Sequence, residues 1–303
     1  MRFNVNHFHV PTPGYVTCSG GRTSGYQLRK VMTRGFPRGL PDDLPVVFAN
    51  TGLEEPETYE FLEAIHDTWG VEIVWLEYER RAGAPAVARR GKQFVIGCHG
   101  YRVVTPKTAD RAGRPFRELL LAKQEFRKTV KQLPAVLPNP AQRFCSGELK
   151  ARTMERYFLD RFGDVRYTAV VGIRADEANR ARNMEHNSAT LDRRFAFPLV
   201  DAGTTEEDVL AFWKHQPFDL KLPHDPAMGT YLGNCGGCFL KRKAKLDRIA
   251  RERPESIRRF ADLEEEFGQT FRNDRPAYGK ILAGALGVCD TDEDDEEACA
   301  CTD

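Results

Sequence analysis

Unbroken apolar runs rich in β-branched residues limit the fold of this 303-residue chain most strongly. A short apolar segment covers residues 15–18, and longer runs follow at residues 45–49, 72–76 and 167–173. Runs without polar alternation are typical of strands buried on both faces of a parallel sheet. Between the first three runs, apolar residues recur at helical spacing over residues 26–33 and 56–69. The order strand, helix, strand, helix, strand predicts a doubly wound α/β sheet.

The rest of the chain is mainly helical in pattern. Further helices are expected over residues 116–130, 147–162, 239–252 and 255–267. Another begins at Thr204, where hydroxyl side chains precede acidic residues, as suits a helix N-terminus. Residues 79–142 outside the first of these helices give no clear pattern.

Composition indicates a soluble globular protein, with 41% hydrophobic and 29% charged residues. No stretch of about 18 apolar residues occurs, and the first residues lack a signal-peptide core, so we expect a cytoplasmic protein without a membrane span. Residues 289–303 carry eight acidic side chains and no basic ones. The net charge of the whole chain is +1, so the remainder carries +9, since this tail contributes −8.

The acidic tail, taken as residues 286–303, is predicted to be disordered and to aid solubility. Two alternatives stay open. The tail is either a mobile arm with Cys299 and Cys301 as its reactive part, or an anionic mimic that covers a basic site.

A glycine-rich loop follows the first predicted strand, at residues 19–24. Its Ser-Gly-Gly-x-x-Ser pattern matches neither the Walker loop nor the dinucleotide-binding G-x-G-x-x-G pattern. Two glycines at a strand-to-helix turn allow the backbone to approach an anion, and free amides and hydroxyls there are donors to it. The loop therefore predicts an anion site at the carboxyl edge of the sheet. The alternative is a tight turn that binds nothing.

The chain has eight cysteines, which in the cytoplasm favour metal ligation or redox chemistry over structural disulfides. The C-x-x-C pair Cys235 and Cys238 lies on a glycine-bent loop, and Cys145 is a third candidate ligand. Three thiolates can hold a [4Fe–4S] cluster with one iron left open. Zinc with His224 as a further ligand is the alternative, and so is an ordinary turn beside a core thiol. Cys18 is predicted to be a core residue.

The positive charge expected around these three cysteines favours their thiolate form and a [4Fe–4S] cluster. We expect helices to begin near Ser146 and Phe239, which would place Cys145 and Cys238 at positive helix ends. The basic residues of segment 241–253 add to that field. The same segment is either a solvated helix face or a contact surface for nucleic-acid phosphates.

A second polar cluster follows the run at residues 167–173. Arg174 can clamp a phosphate or sulfate, and Asp176 or Glu177 can hold Mg²⁺. A surface ion-pair cluster is the alternative.

Five motifs follow one another over about residues 14–245. They are Ser19-Gly-Gly-Arg-Thr-Ser24, Asn50-Thr-Gly-Leu-Glu-Glu-Pro-Glu-Thr58, Arg143-Phe-Cys-Ser-Gly-Glu-Leu-Lys150, Gly172-Ile-Arg-Ala-Asp-Glu177 and Gly233-Asn-Cys-Gly-Gly-Cys238. In this order they resemble the motifs of the phosphoadenosine phosphosulfate (PAPS) reductase family, within the PP-loop group of adenine nucleotide α-hydrolase-like proteins. Phage-type members and the related enzymes of DNA phosphorothioation and tRNA thiolation look most similar.

The resemblance implies a role for each motif. The nucleotide would contact Ser19, Gly20, Gly21, Thr23, Ser24, Asn50, Thr51, Gly52 and Gly172, with Glu54 or Glu57 nearby. The candidate catalytic residues are Arg22, Lys150, Arg174 and Asp176. The candidate cluster ligands are Cys145, Cys235 and Cys238. Residues 1–230 would form the nucleotide-binding domain, and residues 231–285 a cysteine-containing helical subdomain packed on it.

The chain departs from the family pattern in two places. Arg22 and Thr23 replace the usual Lys-Asp of the first loop, and the C-terminal Glu-Cys-Gly-Leu-His of true reductases, with its nucleophile, is absent. We therefore expect an ATP pyrophosphatase that uses Mg²⁺ and transfers sulfur to tRNA or DNA, with a sulfur donor protein as a possible partner. A sulfonucleotide reductase acting on PAPS or its relative, with thioredoxin, and a nucleotide-binding module with structural zinc are the alternatives.

Overall fold

The computed structural model describes residues 6–81, 87–90, 93–96, 99–134, 136–188, 193–225, 227–233 and 235–287. Its centre is a six-stranded sheet in the order β6-β3-β2-β1-β7-β8. These strands are β1 (Gly14–Thr17), β2 (Val46–Asn50), β3 (Ile73–Arg80), β6 (His99–Val104), β7 (Tyr167–Val170) and β8 (Arg193–Ala196). All neighbours in the sheet are parallel except β3 and β6. The predicted doubly wound α/β fold is confirmed.

Helices cover and extend this sheet. They are α1 (Arg22–Lys30), α2 (Pro56–Trp69), α3 (Arg114–Phe126), α4 (Phe144–Ser146), α5 (Thr153–Phe162), α6 (Ala178–Ser188), α7 (Pro198–Asp201), α8 (Glu206–Trp213), α9 (Lys243–Glu252), α10 (Pro254–Phe267) and α11 (Tyr278–Leu286). A π-helical segment, Gly147–Arg152, joins α4 to α5, and others, Val31–Gly35 and Arg127–Lys131, extend α1 and α3. Two hairpins lie outside the central sheet: β4 (Val87–Arg90) with β5 (Gln93–Ile96), and β9 (His224–Asp225) with β10 (Gly229–Thr230).

The direction of winding reverses at β1, which determines where a ligand can bind. The chain moves outward from β1 through β2 to β3, and later returns to add β7 and β8 on the other side of β1. Val16 pairs with Val46 of β2 and with Val170 of β7. The carboxyl ends of β1 and β7 therefore flank a topological switch point, the usual ligand crevice of such sheets.

The C-terminal helices share the main hydrophobic core. Phe260 of α10 and Phe271 lie close to Phe116 of α3, with ring centroids 6.0 Å and 6.4 Å away from it. Tyr278 of α11 stacks on Phe260 at 5.2 Å. Burial of these large rings stabilises the fold and packs α10 and α11 against α3.

Several elements differ from the sequence prediction. The antiparallel edge strand β6 falls in a segment without a clear pattern, and β8 and α11 were not predicted. Within the part of the chain that the structure describes, no helix is long and apolar enough to cross a membrane. The predicted acidic tail lies outside the described residues from residue 288 onward, with Cys289, Cys299 and Cys301. The proposed domain boundaries stay a prediction.

Candidate functional site

The glycine loop after β1 forms a cradle at the start of α1. Gly20 has a φ of +76°, and a side chain there would lie 2.3 Å from Thr58 Cγ2, so only glycine fits. Ser24 Oγ accepts a hydrogen bond from the Ser19 amide at 3.0 Å and donates to the Gly21 carbonyl at 2.9 Å. The first amides of a helix have no partner within it, so the start of α1 offers donors of the kind that an anion site requires.

The segment after β7 closes the other side of the cradle. A side chain at Gly172 would lie 3.1 Å from Ser24 Cα, so glycine permits the two loops to touch. Arg174 donates to Thr23 Oγ1 at 3.2 Å and to Asp176 Oδ1 at 3.0 Å. This arrangement places an arginine directly beside the helix N-terminus.

A cavity of about 540 Å³ opens between these segments. Its lining includes all of residues 19–24, together with Thr58, Gly172, Arg174, Glu177, Arg180 and Lys245. Asp176 does not line it, because its carboxylate is directed to Arg174, which lowers the pKa of Asp176. Of the two acids predicted to hold Mg²⁺, only Glu177 therefore faces this cavity.

Arg22, a predicted catalytic residue, is held by a segment that the sequence did not single out. Its guanidinium donates to Asp219 Oδ1 at 2.7 Å, to Asp219 Oδ2 at 2.8 Å and to the Leu220 carbonyl at 2.5 Å. Trp213 Nε1 donates to the Arg22 carbonyl at 2.9 Å. A bidentate pair of this kind fixes the guanidinium and neutralises most of its charge. No local motif marks Asp219, which is about 200 residues away in sequence.

Asn50, the last residue of β2, and Gly52, two residues later, are also predicted to contact the nucleotide. Asn50 is fully buried; its amide donates to Glu77 Oε1 and to the Asp110 carbonyl, both at 2.8 Å. Its oxygen accepts from the Gly52 amide and from Tyr59 Oη. Neither residue lines the described cavity, and their contact with a nucleotide stays a prediction.

Thr51 instead connects the end of β2 to the cysteines. Its hydroxyl donates to the buried carboxylate of Glu54 at 2.8 Å and lies 3.5 Å from Cys235 Sγ. Lys150 Nζ lies 3.8 Å from Glu54 Oε1. Burial opposes the charge of Lys150, but the negative charge of Glu54 and of the nearby cysteines outweighs it and raises its pKa.

Cys145, Cys235 and Cys238 are all free thiols within electrostatic range of Lys150. Burial raises the pKa of Cys145 to about 11 and that of Cys235 to about 12. Among the residues that the structure describes, no three His, Cys, Asp or Glu side chains are gathered closely enough to hold a metal ion. The side chain of His224, the predicted further zinc ligand, is outside the described part.

Two details of the cysteine prediction are wrong. Cys145 lies inside the first turn of α4 rather than before a helix, and α9 begins at Lys243, five residues after Cys238. The charge near Cys238 comes instead from Lys241, whose ammonium donates to the carbonyls of Gly233 and Cys235 at 2.7 and 3.0 Å. Cys18 is buried in the core, as predicted.

The two glycines of the C-x-x-C loop are required by close packing. A side chain at Gly236 would lie 2.0 Å from Glu55 Oε1, and one at Gly237 would lie 2.5 Å from Phe260 Cδ2 and from the Ser256 carbonyl. The Gly236 amide also donates to the Leu53 carbonyl at 3.0 Å. The loop is therefore wedged between the end of β2 and helix α10.

A second cavity, of about 580 Å³, adjoins the first. Met228, Gly233 and Lys245 line both cavities, and Cys238 lies in the wall of the second. The glycine-loop cradle and Cys238 therefore open onto neighbouring spaces.

The fold and this site define a class: an α/β protein with a glycine-rich cradle at the switch point of its sheet and a C-x-x-C loop whose Cys238 lines the neighbouring cavity. No family model matches the chain. Over 236 residues it is 31% identical to the uncharacterized nin region protein ORF290 of Escherichia phage lambda, covering 76% of this chain and 67% of that protein. The chain belongs to the family of that phage protein.

A solved structure also shows a weak similarity. The U34-tRNA thiolase NcsA from Methanococcus maripaludis with its [4Fe–4S] cluster matches at a TM-score of 0.37 and 14% identity. The match covers 90% of this chain and 71% of that one. A TM-score this low transfers neither fold nor function to the present chain.

Proposed function

We propose that this protein binds Mg-ATP, cleaves it between the α and β phosphates, and activates a nucleic acid for sulfur transfer. One observation carries the proposal: the Ser19–Ser24 cradle and Cys238 open onto adjoining cavities that share Met228, Gly233 and Lys245. The ordered motifs that resemble the PAPS reductase family and its PP-loop relatives support the same assignment.

In this proposal the loop residues bind and orient the triphosphate. The free amides at the start of α1 donate to phosphate oxygens, and Arg174, held by Thr23, stabilises the charge of the departing pyrophosphate. Glu177 is the acid of the 174–177 segment that faces the cavity and would hold Mg²⁺ there.

The proposed sulfur transfer proceeds by two displacement reactions. An oxygen of the nucleic acid attacks the α phosphorus, and pyrophosphate leaves with the electrons of the broken P–O bond. Hydrosulfide then forms a C–S bond as AMP leaves with the electrons of the C–O bond. The proton of hydrosulfide passes to solvent.

We propose that the three cysteines hold a [4Fe–4S] cluster rather than zinc. A single zinc ion draws its sulfurs to within about 4 Å of one another, given Zn–S bonds of about 2.3 Å. The described side chains show no such gathering. A four-iron cluster spans a wider gap and needs thiolates, which Cys145, Cys235 and Cys238 would supply. When bound, it would offer an open iron for hydrosulfide. Lys150 would then balance the negative charge of its thiolates.

Anaerobic purification tests the cofactor and separates the alternatives. The proposal predicts a brown protein with about four irons and four sulfides per chain, and none in the Cys235→Ala variant. A colourless protein with one zinc would support the binding-module alternative. The same preparation is then given ATP or PAPS in parallel; sulfite released from PAPS, without ATP turnover, would show a reductase instead.

A further inference from the structure

The second cavity is positively charged and has no acidic residue in its described lining. It is lined by Ala227, Met228, Gly233, Cys238, Leu240, Lys241, Arg242, Ala244 and Lys245. Three of these carry positive charge, and the rest are small, apolar or thiol side chains. A ligand for this space must therefore be anionic and must also present an apolar surface.

The positive charge in the cavity is not neutralised within the described chain. Lys241 and Lys245 donate to backbone carbonyls rather than to carboxylates, and burial lowers the pKa of Lys241. Arg242 is exposed and has no ion-pair partner among the described residues. Of the other cations of segment 241–253, Lys243 pairs with Asp247, Arg248 with Asp225 and Glu252, and Arg253 with Glu57. Arg251 is exposed, lies outside the cavity and has no ion-pair partner among the described residues. The segment is thus not a uniform basic face, and its available charge is concentrated at the cavity.

An exposed apolar side chain stands beside these cations. Leu240 is 42% exposed and lines the same cavity as the cations. Leu240 and Ala244 form an apolar wall close to Cys238. A flat aromatic ring in contact with Leu240 and Ala244 would therefore have the thiol of Cys238 and the cations of the cavity as further neighbours.

We propose that this second cavity binds one nucleotide unit of a nucleic-acid strand, with the base on Leu240 and Ala244 and the adjoining phosphate on Arg242 and Lys245. That this nucleotide is the sulfur acceptor rests on the proposed function. The base would then lie between Cys238 and the shared opening to the phosphate cradle. A nucleic acid is favoured over an acidic sulfur-donor protein because the site combines a small apolar wall with closely placed cations inside a cavity, whereas a protein surface needs a wide contact area.

Binding of fluorescent single-stranded RNA and DNA oligonucleotides to the full chain tests the site. Arg242→Glu should weaken binding by about tenfold and lower the slope of log K against log salt by about 0.7–1. The matched control is Arg251→Glu, which makes the same charge change on exposed α9 surface outside the cavity and should change binding less than about twofold. Leu240→Ser should weaken binding by about fivefold, because the exposed part of the leucine is covered on binding. The control Leu286→Ser, at another exposed leucine, should leave oligonucleotide binding unchanged.

The outcomes separate this inference from the proposed function. Equal losses for Arg242→Glu and Arg251→Glu would overturn the cavity as the binding site. If Arg242→Glu leaves the oligonucleotide affinity unchanged but releases a sulfur-donor protein, the cavity is not the nucleic-acid site and the proposal is overturned. Calorimetric titration of ATP is run on the same proteins. If ATP does not bind but Arg242 still controls oligonucleotide affinity, the proposed function fails and the nucleic-acid site stands. The RNA and DNA arms show which strand the cavity prefers.

Discussion

Gly237 provides a quantitative test of how the cysteine loop is held. In a Gly237→Ala variant the new methyl carbon would lie 2.5 Å from the Ser256 carbonyl oxygen and 2.5 Å from Phe260 Cδ2. One of these atoms is backbone of α10, and Phe260 is 1% exposed within the core. Neither neighbour can move freely, so the loop carrying Cys238 must shift or the helix must yield.

The expected cost follows from these contacts. Overpacking in a close-packed core costs about 1–3 kcal/mol, and the rigid neighbours place Gly237→Ala at about 2–3 kcal/mol. At about 2–4 °C per kcal/mol for a chain of this size, Tm should fall by roughly 4–12 °C. The displaced Cys238 should also reduce iron retention, because cluster ligands tolerate little misplacement.

Gly233→Ala is the matched control. A side chain at Gly233 would meet its nearest neighbour, Thr230 Cγ2, only at 4.0 Å, so its free energy of unfolding should stay within about 1 kcal/mol of wild type. Urea unfolding and iron analysis of both variants check the prediction. If Gly237→Ala is as stable and as iron-loaded as Gly233→Ala, the described packing of the loop against α10 is wrong.

Four further substitutions give three more predictions. Gly20→Ala should weaken ATP binding at least about tenfold in calorimetry, since its φ of +76° and the 2.3 Å approach to Thr58 leave no room for a methyl group; unchanged affinity would remove the loop from the nucleotide site. Burial lowers the pKa of His99 to about 4, so the stability it contributes above pH 6.5 should be lost as pH falls toward 4, on the order of 3 kcal/mol. His99→Gln should flatten that pH dependence in urea unfolding, and a variant that follows wild type would contradict the assignment. Arg22→Ala and Asp219→Ala should be non-additive in unfolding free energy by about 1 kcal/mol, and strict additivity would mean that their pair does not form in solution.

The elements nearest the switch point were predictable from sequence because local chemistry specifies them. Helix α2 begins at Pro56, as its pattern predicts, and ends before Gly70, whose φ of +64° suits a helix terminus. Strands β2 and β7 are fully buried, so their apolar runs are unbroken. The glycine loop was found because a close backbone approach excludes other residues.

Other features depend on distant contacts that leave no local pattern. The carboxylate of Asp219 matters only because the fold brings it to Arg22. The motif around Asn50 does not reveal that its amide donates to the buried carboxylate of Glu77, which lies on a different strand. Edge strand β6 is paired on one side only, so its residues do not need an unbroken apolar run.

The identity of the products formed from ATP tests the central claim most directly. Anaerobically purified protein is incubated with ATP labelled at the α phosphate, Mg²⁺ and nucleic acid, and the labelled product is separated. The account predicts AMP, or AMP joined to the nucleic acid, with one pyrophosphate released for each, and no product from Gly20→Ala. Labelled ADP with free phosphate, or ATP left intact while PAPS yields sulfite, would contradict it.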